Sequence, residues 1–105
     1  MTRDEALRAM AKCREEIDAI DLELLELLNQ RTRVVERIGQ VKQILDLPIY
    51  EPKREDDVFR NVTENNAGPL TPEALKRIFE RIIDEMRSLQ RMRRQEKKQG
   101  EKECS

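Results

Sequence analysis

Two cations lie where an amphipathic helix would carry only apolar side chains. On an ideal helix each residue advances about 100°; with Leu24 set at zero, Leu28, Val35 and Ile38 fall within about 40° of it, and so do Arg31 and Lys42. The two cations are separated by about 16 Å of helical rise. One such side chain can pack its stem on the core and send its charge to water. Two in line are harder to place that way, because an unpaired buried cation is costly and no acidic residue shares the stripe between them. A small polyanionic ligand would satisfy both. The chain has no histidine, which removes the usual general base, proton shuttle and zinc ligand together. Chemistry here must come from binding, orientation and fixed charge.

Other polar residues stand near the same path. Arg14 lies at the edge of the stripe, about 25 Å of helix before Arg31, too far to share a pocket with Arg31 and Lys42 of its own chain. If two such helices paired antiparallel about a two-fold near Leu24 and Leu25, Arg14 of one protomer would face the stretch between Arg31 and Lys42 of the other. The pocket would then be composite, with the leucine-rich "LELLELL" of residues 22–28 as its seam. Arg54 and Glu55 open a second helix, where a Glu also complements the helix dipole. Gln90 stands at the far end of a third apolar stripe, a place where glutamine ordinarily faces water.

The elements that must hold these residues are helices. From Asp4 to Leu45 there is no proline and Gly39 is the one glycine, while Leu7, Met10, Ile17, Ile20, Leu24, Leu28, Val35 and Ile38 recur at helical steps. "LDLPIYEP" ends that helix, since residues before proline leave the helical region and proline has no N–H to donate. A second helix is predicted from near Glu51, with Pro52 in its first turn and Val58, Phe59 and Val62 on one face, stopping at "NNAG". "PLTPEAL" predicts a third start, with Thr71 as N-cap and Pro72 at the first helical position. Its stripe runs through Leu75, Ile78, Phe79, Ile82, Ile83, Met86 and Leu89. Past Arg91 the stripe is lost, predicting a charged, frayed tail over 91–105 after one domain at 1–90. The class is therefore all-α, three helices per chain. A first helix of roughly 63 Å, against a radius of gyration near 13 Å for a compact domain of this size, cannot be covered by its own chain, and homodimerisation is the economical expectation.

Composition narrows the function. With 41% charged and 3% aromatic residues over 105 positions, the chain suits long amphipathic helices better than a sandwich. A net charge of -1 gives no global field for nucleic acid or an anionic membrane, and no run approaches the length of a membrane span. The N-terminus lacks a signal-peptide pattern, so a cytoplasmic protein is expected. Cys13 and Cys104 fit no metal-ligand spacing and read as reduced thiols. No metal and no cofactor are expected.

"CREEIDAIDLELLELLNQR", then "GQVK", "PIYEPKRE" and "RIFERIIDEMRSLQ" resemble the all-helical AroQ class of chorismate mutases over about residues 7–90. The resemblance implies an intertwined homodimer with two composite sites that rearranges chorismate to prephenate, a step toward phenylalanine and tyrosine. It implies that Arg14, from the neighbouring protomer, and Arg31 bind the two substrate carboxylates. Lys42 would donate to the ether oxygen of the breaking bond and to a carboxylate, and Gln90 would reach the same ether oxygen from the other side. Glu55 would accept from the ring hydroxyl, and Arg54 would line the site through its backbone. Glu51 stands where an Asp is familiar, and Met86 where a small hydroxyl residue is. Met86 therefore cannot make a hydroxyl contact to the ring carboxylate. The implied reaction is pericyclic and needs no nucleophile, proton transfer, metal or cofactor. An isochorismate-pyruvate lyase is similar in fold and cations, but Glu55 and Gln90 favour the mutase. A non-enzymatic helical dimer would leave Arg31 and Lys42 unexplained.

Overall fold

The computed structural model describes the backbone of residues 1–104 and the side chains of residues 1–97. Three helices follow one another, α1 (Arg3–Ile44), α2 (Pro52–Glu64) and α3 (Pro72–Cys104), with no strand among the described residues. α1 starts in a capping box: the Thr2 N–H donates to Glu5 Oε2 and the Glu5 N–H donates to Thr2 Oγ1, each at 3.2 Å. The signature, "TRDE", is legible in the sequence once looked for.

α1 ends in a Schellman arrangement. Asp46 takes a left-handed φ of 57°, which Asp tolerates better than most residues with a Cβ. Its N–H donates to Gln43 O at 3.2 Å, and the Leu47 N–H reaches back to Lys42 O at 2.7 Å. Pro48 then keeps the chain from re-entering the helix.

α2 begins with Pro52 at its first position, and Glu51 before it makes no side-chain cap. Asn66 organises the next turn: its Oδ1 accepts from the Gly68 N–H at 3.0 Å and its Nδ2 donates to Leu70 O at 2.9 Å. α3 opens as the sequence predicts, with Thr71 Oγ1 accepting from the Ala74 N–H at 3.1 Å. α3 continues to Cys104, through the segment where loss of the apolar stripe predicts fraying. Good helix formers, Arg, Gln, Glu and Lys, fill most of that stretch, Arg93 pairs with Glu96 one turn on, and Arg94 Nη1 donates to Leu47 O at 3.2 Å, so propensity and polar contacts carry the helix where apolar packing does not. The side chain of Cys104 lies outside the described residues; Cys13 is a free, exposed thiol.

The chain divides into two units, Met1–Val34 and Val35–Ser105. The first is a single helical stretch, so it has no second element to bury a face against, and Leu7, Ile17, Ile20, Leu22, Leu24 and Leu25 are exposed. In the second, α2 packs on α3. There Leu75, Ile83 and Met86 form the buried apolar centre, with Val58, Phe59 and Val62 half-buried beside them. No helix among the described residues is long and apolar enough to cross a membrane.

Candidate active site

Lys42 is the one buried residue of α1, only 9% exposed. Its Nζ donates to Ile49 O at 2.8 Å and pairs with Glu51 Oε1 at 2.7 Å. The sequence argument that Lys42 must find its anion in a ligand is corrected here: the counter-charge comes from beyond the proline break, outside the helical stripe that was searched. The helix cap explains how. Leu47 N–H holds the Lys42 carbonyl while Ile49 O holds the ammonium, so the loop ties the residue at both ends.

Gln90 is 8% exposed, not a surface residue. Its Nε2 donates to Val35 O at 3.0 Å, and its side chain lies against Gly39, where a Cβ would come within 3.4 Å of Gln90 Cγ. A side chain at residue 39 would press on that glutamine. Gly39 is one turn before Lys42, so the two buried donors attach to neighbouring turns of the same helix segment.

Glu55 is half-buried and does not stand alone. Arg87 Nη2 donates to its Oε1 at 3.2 Å and to Asp84 Oδ1 at 2.6 Å, while the guanidinium sits 4.8 Å from the centroid of the Tyr50 ring. Arg87 escaped the sequence reading, although the signal was available. Setting Ile83 at zero puts Arg87 about 40° away and Gln90 about 20° away, inside the apolar stripe of α3, the same criterion that singled out Arg31 and Lys42.

The remaining candidates are less enclosed. Met86 is buried with the apolar centre. Glu51 reaches Lys42 from an exposed position, and Arg54 is exposed. Arg14, exposed, and Arg31, half-buried, belong to the first unit. The second unit therefore brings together Lys42 with Glu51, and Glu55 with Arg87, and sets Gln90 on Gly39. Among the described residues no group of three or more His, Cys, Asp or Glu is placed to hold a metal. What the arrangement offers chemically is a set of fixed donors: a Lys ammonium has three protons and a Gln amide two. Ile49 O and Glu51 occupy two of the first, and Val35 O one of the second, so among the described residues one donor on each is left for a ligand.

The chain is similar to known proteins in sequence and in fold. Residues 13–91 match the family chorismate mutase type II. A bifunctional chorismate mutase/prephenate dehydratase of Aquifex aeolicus is 37% identical over 89 residues, covering 81% of this chain and 25% of the relative. This chain thus spans about a quarter of the length of that relative. A chorismate mutase of Methanocaldococcus jannaschii is 26% identical, with 81% of this chain and 87% of the relative covered. Among solved structures, chorismate mutase (form II) from Thermus thermophilus superposes with a TM-score of 0.77 at 34% identity, covering 79% of this chain and 94% of that one. Chorismate mutase from Helicobacter pylori in complex with prephenate gives 0.75 at 31%, covering 80% and 91%.

Proposed function

The chain belongs to the chorismate mutase type II family, and from that membership we propose that it converts chorismate to prephenate, in the route to phenylalanine and tyrosine, without metal or cofactor. The observation that carries the reading is the pair of buried donors, Lys42 and Gln90, each fixed by the protein and each with a proton to spare.

The rearrangement breaks a carbon–oxygen bond as a carbon–carbon bond forms, within one molecule. Catalysis then asks for a compact substrate conformer and for donors aimed at the ether oxygen as negative charge grows there. Lys42 and Gln90 are suited to that oxygen because their other donors are already committed, so little reorganises during the step. Glu51 holds the ammonium, a part that an Asp or a Glu can play. Arg31 takes one carboxylate with its planar fork, and Arg14 takes the other from the second protomer of a homodimer. Glu55 accepts from the ring hydroxyl, and the Arg54 backbone lines the wall. Met86, having no hydroxyl, lines the substrate site from the buried apolar centre. The exposed leucines of Met1–Val34 support the dimer, since they are what a second copy would cover. The enzyme works in the cytoplasm, where Cys13 stays reduced.

The test is to follow loss of chorismate by the purified chain in a metal-chelating buffer and to identify the product. Prephenate is expected. Pyruvate from isochorismate, with chorismate untouched, would replace the mutase by a lyase; silence on both substrates would overturn enzymatic function.

A further inference from the structure

Arg87 is a costly residue to keep where it is. It lies in the apolar stripe of α3, its side chain is 20% exposed, and its Nε is buried without an acceptor among the described residues. A buried donor left unmade is destabilising, and a buried ion pair replaced by well-packed apolar groups is often neutral or stabilising. Stability alone is thus a weak reason for an arginine here. Its contacts point elsewhere. Asp84 and the Tyr50 ring fix the guanidinium from two sides, and the fixed Nη2 then grips Oε1 of Glu55. Arg87 holds Glu55 through Oε1, and Oε2, with no donor against it among the described residues, can accept a hydrogen bond from a ligand. Gln90 follows Arg87 by one turn on the same helix, so the clamp and the donor are built on one rigid element.

We propose that Arg87 is a positioning residue of the active site, which, braced by Tyr50 and Asp84, orients the Glu55 carboxylate so that Oε2 meets the ring hydroxyl of the substrate. This rests on the mutase reading and adds to it a residue that need not touch substrate. Arg87 acts through Glu55, and that dependence is what distinguishes it from a plain structural ion pair. A structural pair would change the unfolding temperature when cut and leave the folded enzyme's rate alone.

The experiment compares wild type, Arg87→Met, Glu55→Gln and the double variant. It measures kcat/KM on chorismate at a temperature where circular dichroism shows each to be folded. Each single change is expected to lower kcat/KM roughly tenfold to a hundredfold, the range for losing a hydrogen bond to a charged group. The double variant is expected to match Glu55→Gln within about twofold, because a residue that works through another adds nothing once the other is gone. Arg87→Lys, which keeps the charge but not the fork, is expected to fall between wild type and Arg87→Met. Wild-type kcat/KM in Arg87→Met, or losses that multiply in the double variant, would overturn the proposal while leaving the mutase reading intact. Should Arg87→Met not fold, Arg87→Lys in the two backgrounds decides by the same rule. A wild type that does not turn over chorismate would remove both.

Discussion

The two units of the chain treat their apolar residues in opposite ways. In Met1–Val34, leucines and isoleucines at helical spacing are exposed, among them Ile17 at 54% and Ile20 at 60%. In Val35–Ser105 part of the stripe is buried, at Leu75, Ile83 and Met86, while Ile38 and Ile78 stay exposed, and polar residues, Lys42 and Gln90, are buried with it. The first unit has apolar surface and no partner element; the second has partner elements and gives part of its interior to fixed donors. Amphipathic periodicity alone therefore says that a face will be covered. It does not say by what.

The contrast makes distinct demands on mutants. Leu24→Glu combined with Leu25→Glu would put like charges from both protomers at the proposed two-fold seam, and we expect sedimentation to show monomers and chorismate turnover to vanish, with helix content largely kept. A dimer that survives this pair would mean that the exposed stripe of the first unit is not the seam. In the second unit, Lys42→Ala should leave the dimer folded and lower kcat by at least about a hundredfold, the loss typical of removing one preorganised donor. Arg31→Ala should do the same. Mixing Arg14→Ala chains with Arg31→Ala chains should then restore one intact site per heterodimer, and no recovery after proven subunit exchange would argue that the site lies within one protomer.

Gln90 gives a subtler comparison. Its amide does not ionise near neutrality, so wild-type activity should need no acid. Gln90→Glu should be active only in its protonated form, with a rate that climbs as pH falls, because a carboxylate offers no proton to the ether oxygen while a carboxylic acid does. A pH–rate profile of each settles the donor's role; a wild-type rate that itself rises only toward acid would contradict it. Smallest is the cap of the first unit. Thr2→Ala should cost about 1 kcal/mol at most, read as faster amide exchange in the first turn of α1. Its effect on turnover should be negligible.

Helices were the most legible part of the sequence because their signals are local. Pro52, Thr71 and Pro72 set two starts to within a residue, and the break before Pro48 ended the first helix. Lys42 was legible as a polar residue at an apolar position, whereas Gln90, at the far end of its stripe, read by itself as an ordinary surface glutamine. Glu51 as the partner of Lys42 was not, since that contact depends on how a capped helix end folds back, and helical phase carries no information beyond the helix. Arg87 was missed for a simpler reason: the stripe of the third helix was read only for its apolar members. The helical continuation past Arg91 shows the converse, a stretch that has lost its apolar stripe and stays helical, with Arg93 paired to Glu96 and Arg94 bonded to Leu47 O.

The segment from Leu45 to Glu51 has the look of an ordinary surface connection, the kind of place where extra residues are usually tolerated. Yet Leu47 N–H, Ile49 O and the Glu51 carboxylate all converge on one lysine, at 2.7, 2.8 and 2.7 Å. The connection is in effect a ruler of fixed length. One residue inserted between Leu47 and Ile49 would shift two of the three marks off Lys42, so among variants of this chain the loop should vary in side chain far more freely than in number.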